Sequence, residues 1–492
     1  MSMSDTIDAQ RRTSPSAASL RSRRSKASIV STTTSPEERK LVRKLDWLIP
    51  PWIAILYFLS VEDRANVGFA MTMNQEAGHD LATVAHLSAR ENNIGLGLFY
   101  VAYIIFEVPS NLVMTRLNPS LWISRIMISW GIVVACMAAI SQPWHFYLLR
   151  FLLGVCEAGA WPGFAYYMTL WYRPHEVSSR LGITYLAGPV SGAVGGLISA
   201  GIQLIDTKGN LYGWQWLFLL SGVVSIIFGI CNFWVLPDKP ESNKRFLKGD
   251  EKKLAIERLK TSHNQEDSET KASHPQYWKG LCERLKDGKT WLFVILYLSP
   301  VMAATSLGYF IPKIVQQIGT YNSIQVSLMS IPPYVFGGFS VYVVTTISDR
   351  TSVRGWFIIG CCILSFAGFA ILSFSPSVGA RYFGLMVVAG ATYPTVPLTM
   401  AWTANSNEGD VAVASATGIV SSVANFGALI CTFALYTGWP SDAPRYIGSN
   451  MVNGGAMLLA AGSAVVLRWW LQRLNSISST DNDSSRSKVY LL

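Results

Sequence analysis

Charge is scarce in this chain. Only 14% of its 492 residues are Asp, Glu, Lys or Arg, where a soluble domain carries about 25%. That shortage, beside an apolar share of 50%, excludes a disordered chain and an ordinary water-soluble enzyme. Cysteine is sparse and unpatterned. Of the seven Cys, all but Cys282 fall in apolar stretches, and no C-x-x-C occurs. This excludes a disulfide framework and a cysteine-based metal site, and leaves small, reduced, buried hydrophobes. Histidine is missing from the apolar runs: all six His lie in loops or at run edges. No nucleophile–base set and no metal-ligand cluster emerges, so neither catalytic activity nor a cofactor is expected. Residues 1–46 lack the apolar core of a secretory signal.

Long apolar runs are what the chain does have. They fall at roughly 47–70, 92–114, 121–141, 145–169, 179–204 and 214–236, and again at roughly 290–311, 325–347, 355–375, 380–403, 412–437 and 449–471. Each is long enough for a helix to cross a hydrocarbon layer of about 30 Å. The pattern predicts an all-α polytopic membrane protein with twelve transmembrane helices in two six-helix bundles, 47–236 and 289–472. A basic, Ser-rich tail over 1–46 is expected to be disordered, a Lys-rich linker occupies 237–288, and a polar tail occupies 473–492.

The net charge of +10 would suggest nucleic acid in a soluble protein, but here the excess sits in tails and loops. With the N-terminus inside, 33 of the 40 Lys and Arg fall on the inner side and 5 on the outer, and Arg64 and Arg150 lie within helices. The asymmetry predicts that both termini and the linker are cytosolic. Six helices, a long loop and six more is the plan of many secondary transporters.

An ionisable side chain near the bilayer centre costs roughly 2.5–3.5 kcal/mol on insertion scales, so those that occur invite a functional reading. The first helix carries Glu62, Asp63 and Arg64, the second Glu107, and the fourth Arg150 and Glu157. Arg150 and Glu157 are seven residues apart and share a face, but the rise between them is roughly 10.5 Å. Each therefore needs another partner, and Gly154 between them leaves room for an approaching group. Two readings stand. These residues are interhelical clamps that close one end of the bundle, or they form a site in which a carboxylate gains and loses a proton beside an arginine that holds an anion. Asp63, Glu157 and Glu107 are the proton-coupling candidates, and Glu157 is expected to face the cavity alone. Arg64, Arg150, Tyr103 and Asn425 are the substrate-binding candidates, the last two equally readable as packing or hydrogen-bonding groups. The glycine-rich run from Gly188-Pro189 to Gly196 in the fifth helix reads as close packing or as the Gly-Pro motif of drug:proton antiporters.

The stretches carrying these residues resemble a known family. RKLDWLIPPWIAILYFLSVEDRANVGFA, YIIFEVPSNLVMTRL, RIMISWGIV and RFLLGVCEAGAWPGFAYYMTLWY are followed by GWQWLF, VLPDKPE, AWTANSN and APRYIGSN. Together they are similar to the anion:cation symporter branch of the major facilitator superfamily, and more narrowly to fungal permeases for allantoate, nicotinate, pantothenate and related carboxylates. The resemblance spans roughly 40–472. It implies proton coupling and anion binding through Asp63, Arg64, Arg150 and Glu157, and a substrate contact at Asn425. Three departures stand out. Ser221 occupies a position where such permeases carry Glu, the loop NSNEGDVAVA lacks basic residues, and Glu62 adds a charge.

The expected function is proton-coupled symport of a small organic anion by alternating access, in a monomer embedded in the bilayer and without nucleic acid. The plasma membrane is the expected location, with the vacuolar membrane as alternative. The rival readings are an exporter of a fungal metabolite by proton antiport and a non-transporting nutrient sensor.

Overall fold

The computed structural model describes residues 35–240, 246–247, 249–266, 282–351, 353–407 and 410–480. The chain divides into two compact units, Met1–Trp47 and Leu48–Leu492. The described part of the first unit is the start of α1 (Pro36–Ala70). Local chemistry fixes that start. Ser35 Oγ accepts the N–H of Glu38 at 3.1 Å, Pro36 stands at the first helical position, and Glu37 and Glu38 occupy the first turn, where the helix dipole favours negative charge. The helix therefore begins at Pro36, where composition suggested an irregular tail through 46. Residues 1–34 of that tail lie outside the described residues.

The unit Leu48–Leu492 holds the rest of α1 and eleven further spans among its described residues. They are α2 (Ala89–Arg116), α3 (Pro119–Cys136), α4 (Pro143–Glu157 and Ala160–Thr169), α5 (Pro174–Tyr185 and Ala187–Ile202) and α6 (Gly213–Val235). After the linker come α7 (Gly288–Ile318), α8 (Ser323–Met329 and Ile331–Thr351), α9 (Arg354–Phe374), α10 (Val378–Asn405), α11 (Asp410–Ala434) and α12 (Ile447–Thr480). Ten spans are long and apolar enough to cross a membrane by length and composition, and α2 and α4 complete the expected twelve. Large apolar side chains on their outer faces, such as Leu197, Ile227, Trp234, Ile363 and Leu459, stay exposed. In water such a band would drive aggregation, and in a bilayer hydrocarbon solvates it.

Three details differ from the even helices that hydropathy suggests. The fourth span breaks after Glu157, because Gly159 takes φ +85°, and a Cβ there would stand 2.7 Å from Ser110 Oγ. The linker expected over 237–288 contains a helix, Asp250–Glu266, whose buried Arg258 donates a hydrogen bond to Glu176 in the first turn of α5. Helix α12 runs on to Thr480, past the expected boundary at 472, and residues 481–492 lie outside the described residues.

Small residues set the helix spacing within each half. On α6, a Cβ at Gly222 would come within 2.5 Å of the Ala135 backbone nitrogen of α3, so only glycine permits that approach. The halves meet where α2 packs on α11 and α5 on α8. Hydrogen bonds join them at the end remote from the linker. The Ser323 N–H donates to Glu76 Oε1 at 2.8 Å and the Gln75 N–H to Ser323 Oγ at 3.3 Å. Gln203 Nε2 reaches Ser327 Oγ at 2.9 Å, and Asn93 Nδ2 reaches the carbonyl of Phe433 at 3.3 Å.

Candidate functional site

Between the halves lies a cavity of about 190 Å³, walled by α1, α2, α4 and α5 on one side and α7, α8, α10 and α11 on the other. Its lining is aromatic. Tyr57, Trp161 and Tyr185 form one cluster, with the Tyr57 and Trp161 rings 4.6 Å apart, and Tyr334 and Tyr393 face them from the other half. Ionisable groups other than tyrosine enter the wall at two points, Arg64 on α1 and Glu107 on α2.

Arg64 is tied to the layer behind it. Its Nε and Nη2 donate to Glu157 Oε1 at 2.9 and 2.6 Å, and Ser60 Oγ donates to the same oxygen. The guanidinium also lies 5.2 Å from the Phe99 ring centre and 5.4 Å from that of Tyr103, within cation–π range. The arginine side chain keeps 24% of its surface accessible and Glu157 only 2%. Glu157 therefore does not face the cavity alone as its helix position suggested. It closes the first segment of α4, and Arg64 stands between it and the open space.

The other singled-out residues separate into wall and second layer. Tyr103, Glu107 and Asn425 line the cavity, and Asn425 Nδ2 donates to Glu107 Oε2 at 3.2 Å across the two halves. Arg150 and Asp63 do not line it. Arg150 is fully buried, donates from Nη2 to the Tyr309 hydroxyl at 3.0 Å and lies 5.0 Å from the Phe99 ring centre. Its Nε and Nη1 meet no acceptor among the described residues. The room that Gly154 leaves is taken by α2, since a Cβ there would sit 2.3 Å from the Phe99 carbonyl oxygen. Asp63 precedes Arg64 by one helix step, about 100° around the axis, and so turns away from it. Trp130 Nε1 and Ser225 Oγ each donate to Asp63 Oδ2 at 3.0 Å.

Two of the departures meet at one spot. Asn66 Nδ2 donates to Glu62 Oε1 at 2.7 Å and to Ser221 Oγ at 3.3 Å. The added carboxylate on α1 and the serine on α6 thus share one amide in the buried interior of the first half. Gly188, Pro189 and Gly192 line the cavity, and a Cβ on Gly192 would come within 2.4 Å of the Tyr334 ring. The run therefore serves both close packing and the cavity wall.

A second cavity of about 360 Å³ lies toward the bonded end, with Gln75, Asp80, Lys313 and Thr437 in its lining. Tyr309 belongs to the walls of both cavities. This tyrosine, held by Arg150, and the aromatic lining were not singled out from sequence. The available signal was tyrosine in the middle of apolar runs, where a hydroxyl avoids lipid and turns inward.

Comparison with known proteins bears on this geometry. Residues 53–432 match the model of the Major Facilitator Superfamily. The chain is 36% identical over 445 residues to Vitamin H transporter 1 of Schizosaccharomyces pombe, covering 85% of this chain and 78% of that protein. It is 31% identical over 437 residues to a putative tartrate transporter of Agrobacterium vitis, covering 88% of this chain and 92% of that protein. Among solved structures, a bacterial homolog of the human lysosomal transporter Spinster, in an inward-facing and occupied conformation, matches with a TM-score of 0.64. That match covers 86% of this chain and 96% of the other at 12% identity, a likeness of fold. Twelve spans in two halves around a central cavity, with a family match over most of the length, make this chain a member of the major facilitator superfamily, an integral multi-pass transporter of small organic substrates.

Proposed function

We propose that the protein is a proton-coupled symporter that binds a small organic anion at Arg64. One observation carries the reading: Arg64 reaches the cavity while bonded to the buried Glu157. A substrate carboxylate and Glu157 compete for the same guanidinium. Protonation of Glu157 weakens its hold and frees the arginine fork for a bidentate contact with substrate. Binding of the anion in turn favours the protonated Glu157, so proton and substrate load together. Asp63, held by neutral donors, is a further protonation site, and Arg150 serves the anion by holding Tyr309 at the head of the cavity.

With the linker in the cytosol, as the charge asymmetry predicts, the bonded end is extracellular and is the closed end of this conformation. Alternating access then breaks the bonds around Glu76, Ser323 and Asn93 as the halves rock. The protein acts as a monomer in the plasma membrane. The relative named for vitamin H supports a small organic substrate as cargo. A second reading, export by proton antiport, draws on Gly188-Pro189 in the cavity wall. Uptake of radiolabelled carboxylates into cells, with and without an imposed proton gradient, separates the two. Accumulation that collapses with the gradient supports symport, and gradient-driven efflux from preloaded cells supports export.

A further inference from the structure

The two charged points of the cavity wall are of opposite sign, and they stand apart. Tyr103 lies under the Arg64 cation, 5.4 Å from it, and Glu107 follows Tyr103 by one turn of α2, roughly 6 Å along the axis. Glu107 is buried at 4% exposure, and Asn425 presents an amide N–H to it from the opposite half. The positive charge of Arg64 is opposed by Glu157 in the empty site and by the first substrate carboxylate in the loaded one. Taken together, Arg64, Glu157 and Glu107 leave no surplus of positive charge for a second anionic group. The rest of the lining is tyrosine, tryptophan and small residues.

We propose that Glu107, steadied by Asn425, is a specificity-determining residue that restricts this site to singly charged carboxylates whose far end offers N–H or O–H donors. The inference rests on the reading that Arg64 binds a substrate carboxylate. With that end anchored, the body of the ligand lies over Tyr103 and its far end arrives at Glu107. A carboxamide, ring N–H or hydroxyl there donates to Glu107 and replaces the Asn425 bond. A second carboxylate meets the like charge of the buried Glu107, and it has no proton to offer. Dicarboxylates are rejected by this repulsion, which acts as a negative element at the far end.

Matched ligands test this directly. Malonate, succinate and glutarate are compared with their monoamides, which exchange one carboxylate for a donor at nearly constant shape. Binding is measured by calorimetry on the purified full-length protein at mildly alkaline pH, which keeps Glu107 ionised, with the double variant Arg64→Ala/Glu157→Gln as the control for site occupancy. The expected result is Arg64-dependent binding of a monoamide at least about tenfold tighter than its diacid. Glu107→Gln, which keeps shape but removes the charge, should bring that ratio to within about threefold, because Gln can donate to the second carboxylate. Asn425→Ala, which leaves the Glu107 charge in place, should keep the preference. Diacids binding as well as monoamides to the unaltered protein, or a preference that survives Glu107→Gln in a folded variant, overturns the assignment and leaves the Arg64 reading standing. A preference lost in Asn425→Ala instead also overturns it. Absence of Arg64-dependent binding across the whole series overturns the Arg64 reading itself, and the role of Glu107 with it.

Discussion

At the scale of the residue, the Arg64–Glu157 pair is the point where stability and function meet. Removing one partner of a buried pair strands the other, at about 3–5 kcal/mol, so Arg64→Ala alone confounds binding with folding. The double variant Arg64→Ala/Glu157→Gln removes the stranded charge. It should recover normal surface expression yet still fail to bind a carboxylate in a direct binding assay, and Arg64→Lys should restore binding poorly because the planar fork is lost. Glu157→Gln alone leaves Arg64 permanently free. Counterflow exchange should continue in that variant while accumulation driven by an imposed pH difference stops. Continued gradient-driven accumulation would remove Glu157 from the coupling role and pass it to Asp63 or Glu107. The sequence made all of these residues visible as charges in apolar runs, and Arg64, Tyr103, Glu107 and Asn425 do stand in the cavity wall. It could not show azimuth. Asp63 and Arg64 are neighbours in the chain but face different helices, and Glu157 and Arg150 lie one layer back because α2 fills the groove at Gly154. The tyrosine lining was hidden for a related reason, since tyrosine in an apolar run reads equally well as core or interfacial belt.

At the scale of the element, the fourth span shows how local breaks aim side chains. Its first segment ends at Glu157 and its second carries Trp161 into the cavity, and the glycine that separates them was legible only as one of many. Gly154→Val should wedge α4 away from the Phe99 carbonyl. Overpacking of this kind costs about 1–3 kcal/mol, and it should appear as a lower melting temperature of the detergent-solubilised protein. Gly308 offers the opposite case, because it lines the cavity and a Cβ there meets nothing within 4 Å. Gly308→Leu should therefore keep the melting temperature while reducing affinity for bulky carboxylates more than for small ones. In the loops at the bonded end, Asp206 accepts from the Gly213 N–H at 2.8 Å and pairs with His79 at 2.6 Å. Partial burial pushes its carboxyl upward, but the bonds from His79, Gly213 and Asn74 outweigh this and hold it below the usual carboxylate range. A lowered value means that the clasp stabilises the fold above the ordinary carboxylate pKa and fades as pH falls through the folded value. Melting curves across acid pH should show that loss, and Asp206→Asn should flatten it.

At the scale of the whole molecule, the twelve spans and their division into six and six could be read from hydropathy, because lipid demands a continuous apolar stretch for every crossing. The span ends could not, since the cap at Ser35 is a local hydrogen bond and α12 continues to Thr480 through polar residues, neither of which hydropathy registers. Orientation is open to direct test through the exposed native Cys282 of the linker segment. With that segment in the cytosol, an impermeant thiol reagent should label Cys282 only after permeabilisation, and labelling in intact cells would invert the orientation. Under the proposed alternating access, the bonded end must open. Ser323 on α8 donates its N–H and its hydroxyl to the Glu76 carboxylate, at 2.8 and 2.7 Å, and so joins the two halves at that end. Cysteines placed at both positions, with Cys136 and Cys282 changed to Ser, can be bridged by a short bis-methanethiosulfonate, which forms a disulfide with each thiol, releases sulfinate and is cleaved again by a reducing agent. Bridging should hold the halves together there and stop transport, and cleavage should restore it. Ligand binding in inside-out vesicles should persist throughout, because the bridge leaves the linker side untouched. If transport continues at full rate when bridging is complete, the Glu76–Ser323 contact does not have to break, and the halves exchange access by a motion that leaves this end closed.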